Sequence, residues 1–147
     1  DLHPTLLDAC GIPIPETFQG RSILPLLRSR GGGPAAPWPG EVFYQISESC
    51  TGRGIRTERW KYCVTAPGGK SQPHAELYEE THLYDLECDP YELCNLIGRE
   101  SHQEVAALCR ERLLARMEEA GEARPEIRAA ESKPAGQLSL PESAKRL

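Results

Sequence analysis

Three stretches of the chain alternate between apolar and polar residues with a period of two, which predicts strands. Over 41–47, Val42, Tyr44 and Ile46 point one way while Phe43, Gln45 and Ser47 point the other. Over 53–57 and 60–65 the alternation continues. Trp60, Tyr62 and Val64 share one face, and Lys61, Cys63 and Thr65 share the opposite one. Ile55 is expected to join Trp60 and Tyr62 in one core. Glu58-Arg59 between the second and third strands has the length of a hairpin connection but lacks the Asn-Gly signature. A fourth strand is expected at 82–86, with Leu83 or Tyr84 facing inward.

The remaining periodic segments are helical. Over 101–120, Val105, Leu108, Cys109, Leu113 and Met117 recur at three- and four-residue spacing and predict one buried stripe. Ser101 and Glu104 have the spacing of a capping box, and Gly121 ends the helix. A short helix is expected at 1–10, with Pro4 in its first turn, an apolar face of Leu2, Leu6, Leu7 and Cys10, and Gly11 as its stop. Ile12-Pro13-Ile14-Pro15 should run extended. A second short helix runs to Arg28, with Ser22 as N-cap, Pro25 in the first turn and Leu24, Leu26 and Leu27 buried. Gly31-Gly32-Gly33-Pro34 opens a linker over 31–40, and 66–73 is an exposed loop. Residues 122–147 carry Pro, Ala, Ser and charge without an apolar period, so they are expected to be disordered. The fold class is α+β: an antiparallel sheet of about four strands with a long C-terminal helix, preceded by two short helices. Four regions follow: 1–30, the linker 31–40, a subdomain over 41–121, and the tail.

Charge and composition narrow the function classes. A net charge of −5 opposes a nucleic-acid binder, which needs a basic face. No apolar run approaches the roughly 18 residues of a membrane span, and no stretch of the given sequence is expected to act as a signal peptide. The first residues already read as a helix and the only Met is Met117, so the sequence reads as the end of something longer. Thirteen Gly and thirteen Pro concentrate in the linker, the 66–73 loop and the tail, which leaves a packed part smaller than the chain. Six cysteines stand at 10, 50, 63, 88, 94 and 109 without C-x₂₋₄-C spacing, and the four histidines make no H-x₃₋₅-H pair. The spacing favours mostly free thiols, with a Cys88–Cys94 disulfide left open.

Each candidate for chemistry was weighed against a structural role. Ser47 and Ser49 lack a nucleophile elbow and a predictable base. No base is placed beside any cysteine. The acidic group Glu79, Glu80, Asp85, Glu87, Asp89 and Glu92 lacks the spacing of a calcium loop and reads as a solvated turn. Arg53, Arg56, Arg59 and Lys61 form the densest basic group and read first as ion-pairing partners of Glu58 and Glu48. An Arg fork also suits a sulfate or phosphate. The polar loop 47–53 is therefore the candidate for contact with substrate, with Glu48 and Arg53 as its residues; no catalytic residue and no metal ligand is assigned.

Four phrases of the chain resemble, in order, the C-terminal end of sulfatases of the alkaline phosphatase superfamily. Asp1-Leu2-His3-Pro4-Thr5-Leu6-Leu7-Asp8-Ala9-Cys10-Gly11-Ile12 is similar to the family's D-L-x-P-T-L-L-D-x-A-G-I helix, with Cys10 where a small residue is usual. Gly20-Arg21-Ser22-Ile23-Leu24-Pro25-Leu26-Leu27 resembles G-R-S-L-x-P-L-L. Ile55-Arg56-Thr57-Glu58-Arg59-Trp60-Lys61-Tyr62 resembles R-T-x-R-x-K-Y. Leu83-Tyr84-Asp85-Leu86 through Asp89-Pro90, Glu92 and Asn95-Leu96 resembles L-Y-D-L-x-x-D-P-x-E-x-x-N-L.

The resemblance implies a parent that hydrolyses sulfate esters with a formylglycine nucleophile and a bound calcium ion. It implies that residues 1–30 are the last helices of an alkaline-phosphatase-like α/β domain and that 41–121 packs on that catalytic domain. Formylglycine arises in a C/S-x-P-x-R motif. The nearest match, Cys88-Asp89-Pro90-Tyr91-Glu92, has Glu in place of Arg. No catalytic residue is carried over, and the chain alone is expected to be inactive. Two other readings stand beside this one: a stand-alone interaction module from a truncated gene, and an acidic binding domain unrelated to hydrolysis.

Overall fold

The computed structural model describes residues 1–29, 39–68 and 72–145. The linker expected at 31–40 and the centre of the 66–73 loop fall largely outside these residues. The chain divides into two compact units, Asp1–Pro39 and Gly40–Leu147.

In the first unit, α1 spans Leu2–Ala9 and α2 spans Leu24–Arg28. Gly11, at φ 68°, ends α1 as expected. Its N–H donates to Asp8 O at 3.0 Å and that of Ile12 to Leu7 O at 2.9 Å, the paired bonds of a Schellman cap. Side chains of α1 hold the approach to α2. Ser22 Oγ donates to Asp8 Oδ2 at 2.5 Å, and the Ile23 N–H donates to Thr5 Oγ1 at 3.0 Å. A Cβ on Gly20 would sit 2.6 Å from the backbone nitrogen of Asp1, so only glycine fits there. Three expectations change. The N-cap position of α2 is Ile23, although Ser22 Oγ still accepts from Leu24 N–H at 3.2 Å. None of Leu24, Leu26 and Leu27 is buried, and Leu27 is 70% exposed, because a five-residue helix offers α1 only one face. Leu2, Leu6 and Cys10 of α1 are exposed, while Pro4 and Thr5 are buried.

The second unit is a five-stranded sheet in the order β1-β2-β3-β4-β5. The strands are β1 Glu41–Ile46, β2 Gly52–Thr57, β3 Trp60–Thr65, β4 Leu77–Asp85 and β5 Glu126–Arg128. Neighbours β1 to β4 pair antiparallel, and β5 adds to β4 in parallel. The β2–β3 turn does without Asn-Gly because Thr57 Oγ1 accepts from the Trp60 N–H at 2.9 Å. β4 begins five residues before the expected fourth strand. Its first half, Leu77-Tyr78-Glu79-Glu80-Thr81, reads as polar, yet Tyr78 is fully buried and Glu80 nearly so. Glu80 Oε1 accepts from Tyr62 Oη at 2.9 Å and from Arg110 Nη2 at 2.6 Å. A buried carboxylate with two such donors costs far less than its hydropathy suggests.

The long helix α3 is Gln103–Glu119, entered through a 3₁₀ turn at Glu100–His102. Val105, Cys109, Leu113 and Met117 are buried against the sheet as the period predicted, with Ala106 and Leu114 added and Leu108 exposed. The capping box does not form: the helix N-cap is His102, and Ser101 Oγ bonds His102 Nδ1 at 2.9 Å instead. Gly121, at φ 83°, closes the helix with a second Schellman pair, its own N–H on Glu118 O and that of Glu122 on Met117 O.

Residues 122–145 do not form a structureless tail. After β5 the chain bridges Arg99 to Lys133, then returns so that Trp60 Nε1 donates to Ala144 O at 3.1 Å. Ile127, Ala130 and Leu140 pack on the core singly, which leaves no period to read.

Candidate functional site

The sheet has two unlike faces. One, carrying Arg53, Ile55, Trp60, Tyr62, Val64, Tyr78 and Leu83, lies under α3 and is buried. The register aligns Tyr44, Gly54, Cys63 and His82 across the other. Among the described residues no element of this unit covers that second face: Val42 is 60% exposed and Ile46 45%.

A hollow of about 310 Å³ opens on it, lined by Tyr44, Ile46, Cys50, Gly52, Lys61, Cys63, His82, Tyr84 and Glu92 among others. Gly52 lines it, while Gly54 lies under the Tyr44 ring. A Cβ on Gly54 would lie 2.6 Å from Tyr44 Oη, so glycine there lets the Tyr44 ring lie flat across β2. The Tyr44 hydroxyl reaches Cys63 Sγ at 2.9 Å. Burial raises both groups above their ordinary values and favours their protonated forms. His82 and Tyr84 stack at 5.8 Å, and Lys61 Nζ meets Glu92 Oε2 at 2.5 Å on the rim. Glu92 holds φ 58°, the one positive φ outside glycine among the described residues.

The two residues singled out from the sequence part company. Glu48 stands exposed in the β1–β2 connection. Arg53 is 2% exposed and points into the α3 side. Its Nε donates to Glu122 Oε1 at 2.8 Å, Nη1 to Gly52 O at 2.8 Å and Nη2 to Pro73 O at 2.6 Å. The Schellman end of α3 delivers Glu122 to this place. Arg53 thus ties β2, the segment before β4 and the end of α3 together, and with its side chain 1% exposed it is buried away from solvent. The other cations pair differently from the expectation as well: Arg59 with Asp85 and Glu87, and Lys61 with Glu92. Sequence reasoning missed Glu41, buried at the start of β1, whose carboxylate accepts from Arg112 and Arg116. Charges at i and i+4 on the exposed flank of a helix gave no sign that both converge on a distant strand.

Burial raises the Cys109 thiol to about 12, and the Asp85 carboxylate raises Cys88. Burial lowers His102, which sits edge-on to Trp60 with ring centroids 6.2 Å apart. Among the described residues no three His, Cys, Asp or Glu side chains come together as a metal site. Glu92, in the position where a formylglycine motif needs Arg, is bonded to Lys61. Among the described residues nothing fits calcium or a formylglycine, and neither is assigned to this chain. No helix among the described residues is long and apolar enough to cross a membrane.

Residues 1–119 match the family model for the C-terminal region of N-sulphoglucosamine sulphohydrolase. The chain belongs to the family of sulfatase C-terminal domains. Arylsulfatase K of Rattus norvegicus is 33% identical over 102 residues, covering 65% of this chain and 17% of the relative. The Homo sapiens form is 31% identical over 102 residues, covering 65% and 18%. An N-acetylglucosamine-6-O-sulfatase of Bacteroides thetaiotaomicron is 28% identical over 99 residues, covering 67% and 17%. The chain thus spans under a fifth of the length of these curated relatives. A protein solved in complex with its substrate D-glucosamine-2-N,6-O-disulfate shares the fold, with a TM-score of 0.66 at 24% identity over 85% of this chain and 24% of the other. The sulfatase domain assignment explains both the α+β architecture and the four motif phrases.

Proposed function

We propose that this sulfatase domain completes a sulfate-ester hydrolase by docking its uncovered sheet face on a catalytic domain, with the β1–β2 connection bordering the substrate. The observation that carries the reading is the contrast between the two faces: one sealed by α3, the other left open among the described residues, with the apolar side chains of Val42 and Ile46 exposed. In the complete enzyme, formylglycine and calcium would come from residues other than those of this chain and supply the nucleophile and the Lewis acid. Glu48 is the exposed carboxylate of the connection, and Arg53 supports the strand behind it. Sulfated glucosamines are the substrate class to assay first, since relatives that match the chain are named for them.

The test is made in a full-length sulfatase that contains this domain, assayed on an aryl sulfate and on glucosamine 6-sulfate with calcium. Val42→Glu with Ile46→Glu should lower the yield and melting temperature of the full-length enzyme while leaving the far-UV circular dichroism of the isolated 147-residue chain unchanged. Glu48→Ala should lower kcat/KM at least about tenfold, about 1.4 kcal/mol of transition-state stabilisation, with stability unaltered. Unchanged stability in the first variant overturns the docking face. Unchanged kcat/KM in the second removes Glu48 from the substrate's border. Turnover by the isolated chain would overturn the whole reading.

A further inference from the structure

The turn after β4 carries two thiols that the reading above leaves unused. Cys88 and Cys94 are both exposed and unpaired, and both line one hollow of about 330 Å³ beside Arg59 and Asp89. The chain between them is folded back on itself by short polar bonds. Asp85 Oδ1 accepts from the Glu87 and Cys88 N–H groups, at 3.2 and 3.4 Å. Asp89 Oδ2 accepts from the Cys94 N–H at 2.8 Å, and the Glu92 N–H donates to Asp89 O at 3.1 Å. The residue next to Cys88 is thus in contact with the backbone of Cys94. Glu92 makes the reversal in the left-handed region, anchored by its bond to Lys61.

We propose that Cys88 and Cys94 are a reversible thiol–disulfide pair that staples this turn. The co-reactant is a low-molecular-weight disulfide. The thiolate of one cysteine attacks a sulfur of that disulfide, forming a mixed disulfide and expelling one small thiolate. The second cysteine, losing its proton to solvent, attacks the protein sulfur of the mixed disulfide and expels the other. Two protein thiols are oxidised and one small disulfide is reduced to two small thiols. The Asp85 carboxylate disfavours the thiolate of Cys88. Oxidation would fix the loop that presents Tyr91, 82% exposed, and Leu93, 84% exposed, next to the Lys61–Glu92 rim of the docking face.

The folded 147-residue chain is incubated with oxidised and reduced glutathione in varied ratio, trapped with an alkylating agent, digested and analysed by mass spectrometry. The expected product is an internal Cys88–Cys94 link, lost on adding reductant, with Cys88→Ser leaving Cys94 as a glutathione adduct. The same incubation in urea should give less of that link at equal glutathione ratio, because the fold holds the turn closed. Separate glutathione adducts on both residues without a link overturn the proposal. So does a link from either residue to Cys10, Cys50 or Cys63, or equal yield of the Cys88–Cys94 link from the folded and unfolded chains.

Discussion

Removing the carboxylate of Glu122 should unfold the second unit far more readily than its position just past a helix end suggests. Arg53 has 1% of its side chain exposed and Glu122 17%. Glu122→Ala leaves the guanidinium with the carbonyls of Gly52 and Pro73 but without a counter-charge. Deleting one partner of a fully buried pair costs roughly 3–5 kcal/mol. Water can reach the vacated side of this one, so the expected loss is about 2–3 kcal/mol. Glu122→Gln keeps an acceptor on the Nε–H and should lose about 1–2 kcal/mol. A body of this size is held by roughly 5–15 kcal/mol, so the alanine variant gives up a large share. Urea titration followed by far-UV circular dichroism should show a lowered midpoint at unchanged m, and the melting temperature should fall by about 10 °C or more. A cycle with Arg53→Met should return a coupling of about 1–3 kcal/mol. A loss below about 0.5 kcal/mol for Glu122→Ala would mean the pair behaves as an exposed one, and would refute the assignment of Arg53 as a buried tie.

Three further outcomes follow from other parts of the fold. Gly54→Ala drives a Cβ into the Tyr44 ring, so the ring must swing off Cys63; a loss of about 1–3 kcal/mol is expected in urea titration, relieved in the Tyr44→Ala background. Cys109, buried and raised to about 12, should resist a disulfide reagent at pH 8 in the folded chain while the exposed Cys10, Cys88 and Cys94 react; rapid labelling of Cys109 would contradict its burial. For acid stability, burial pushes Glu41 up, but the bonds and charges of Arg112 and Arg116 outweigh it and the folded pKa is lowered from 4.5. His102 is lowered from 6.5 by burial. Both groups have depressed folded values, so each contributes stability present above its unfolded pKa and lost as pH falls through its folded one. Stability should therefore decline first below about pH 6.5 and again below about pH 4.5. Glu41→Gln should differ from the parent at pH 7 and converge with it at the acid end.

The legible part of this fold was the part in which side-chain period and burial agree. β3 was bounded from its alternation, and the α3 stripe held at Val105, Cys109, Leu113 and Met117. The hidden part was where charge replaces hydropathy as the thing buried. Glu80, Arg53 and Glu41 occupy inward positions with partners 30, 69 and 71 residues away. No local pattern announces such a partner, so β4 looked shorter than it is and Arg53 looked available to a ligand. The return of the tail was illegible for a related reason. Its anchors are a backbone carbonyl on Trp60 and single apolar residues, neither of which leaves a period. Ser101 was a correct helix-start signal attached to the wrong bond, because its hydroxyl meets His102 before it can reach the amide of Glu104.

The two borders of the sheet are unequally protected. β5 shields part of β4, whereas β1 is terminal in the strand order. Its six residues read Glu-Val-Phe-Tyr-Gln-Ile, with no proline and no charge after the first. Such a strand is a template on which a further strand can hydrogen-bond, and natural sheets usually guard it with lysine, proline or a bulge. Expressed apart from a larger body, the chain should therefore self-associate through β1 before any other surface, and a lysine at Gln45, whose side chain is exposed, is the single change that should keep it monomeric.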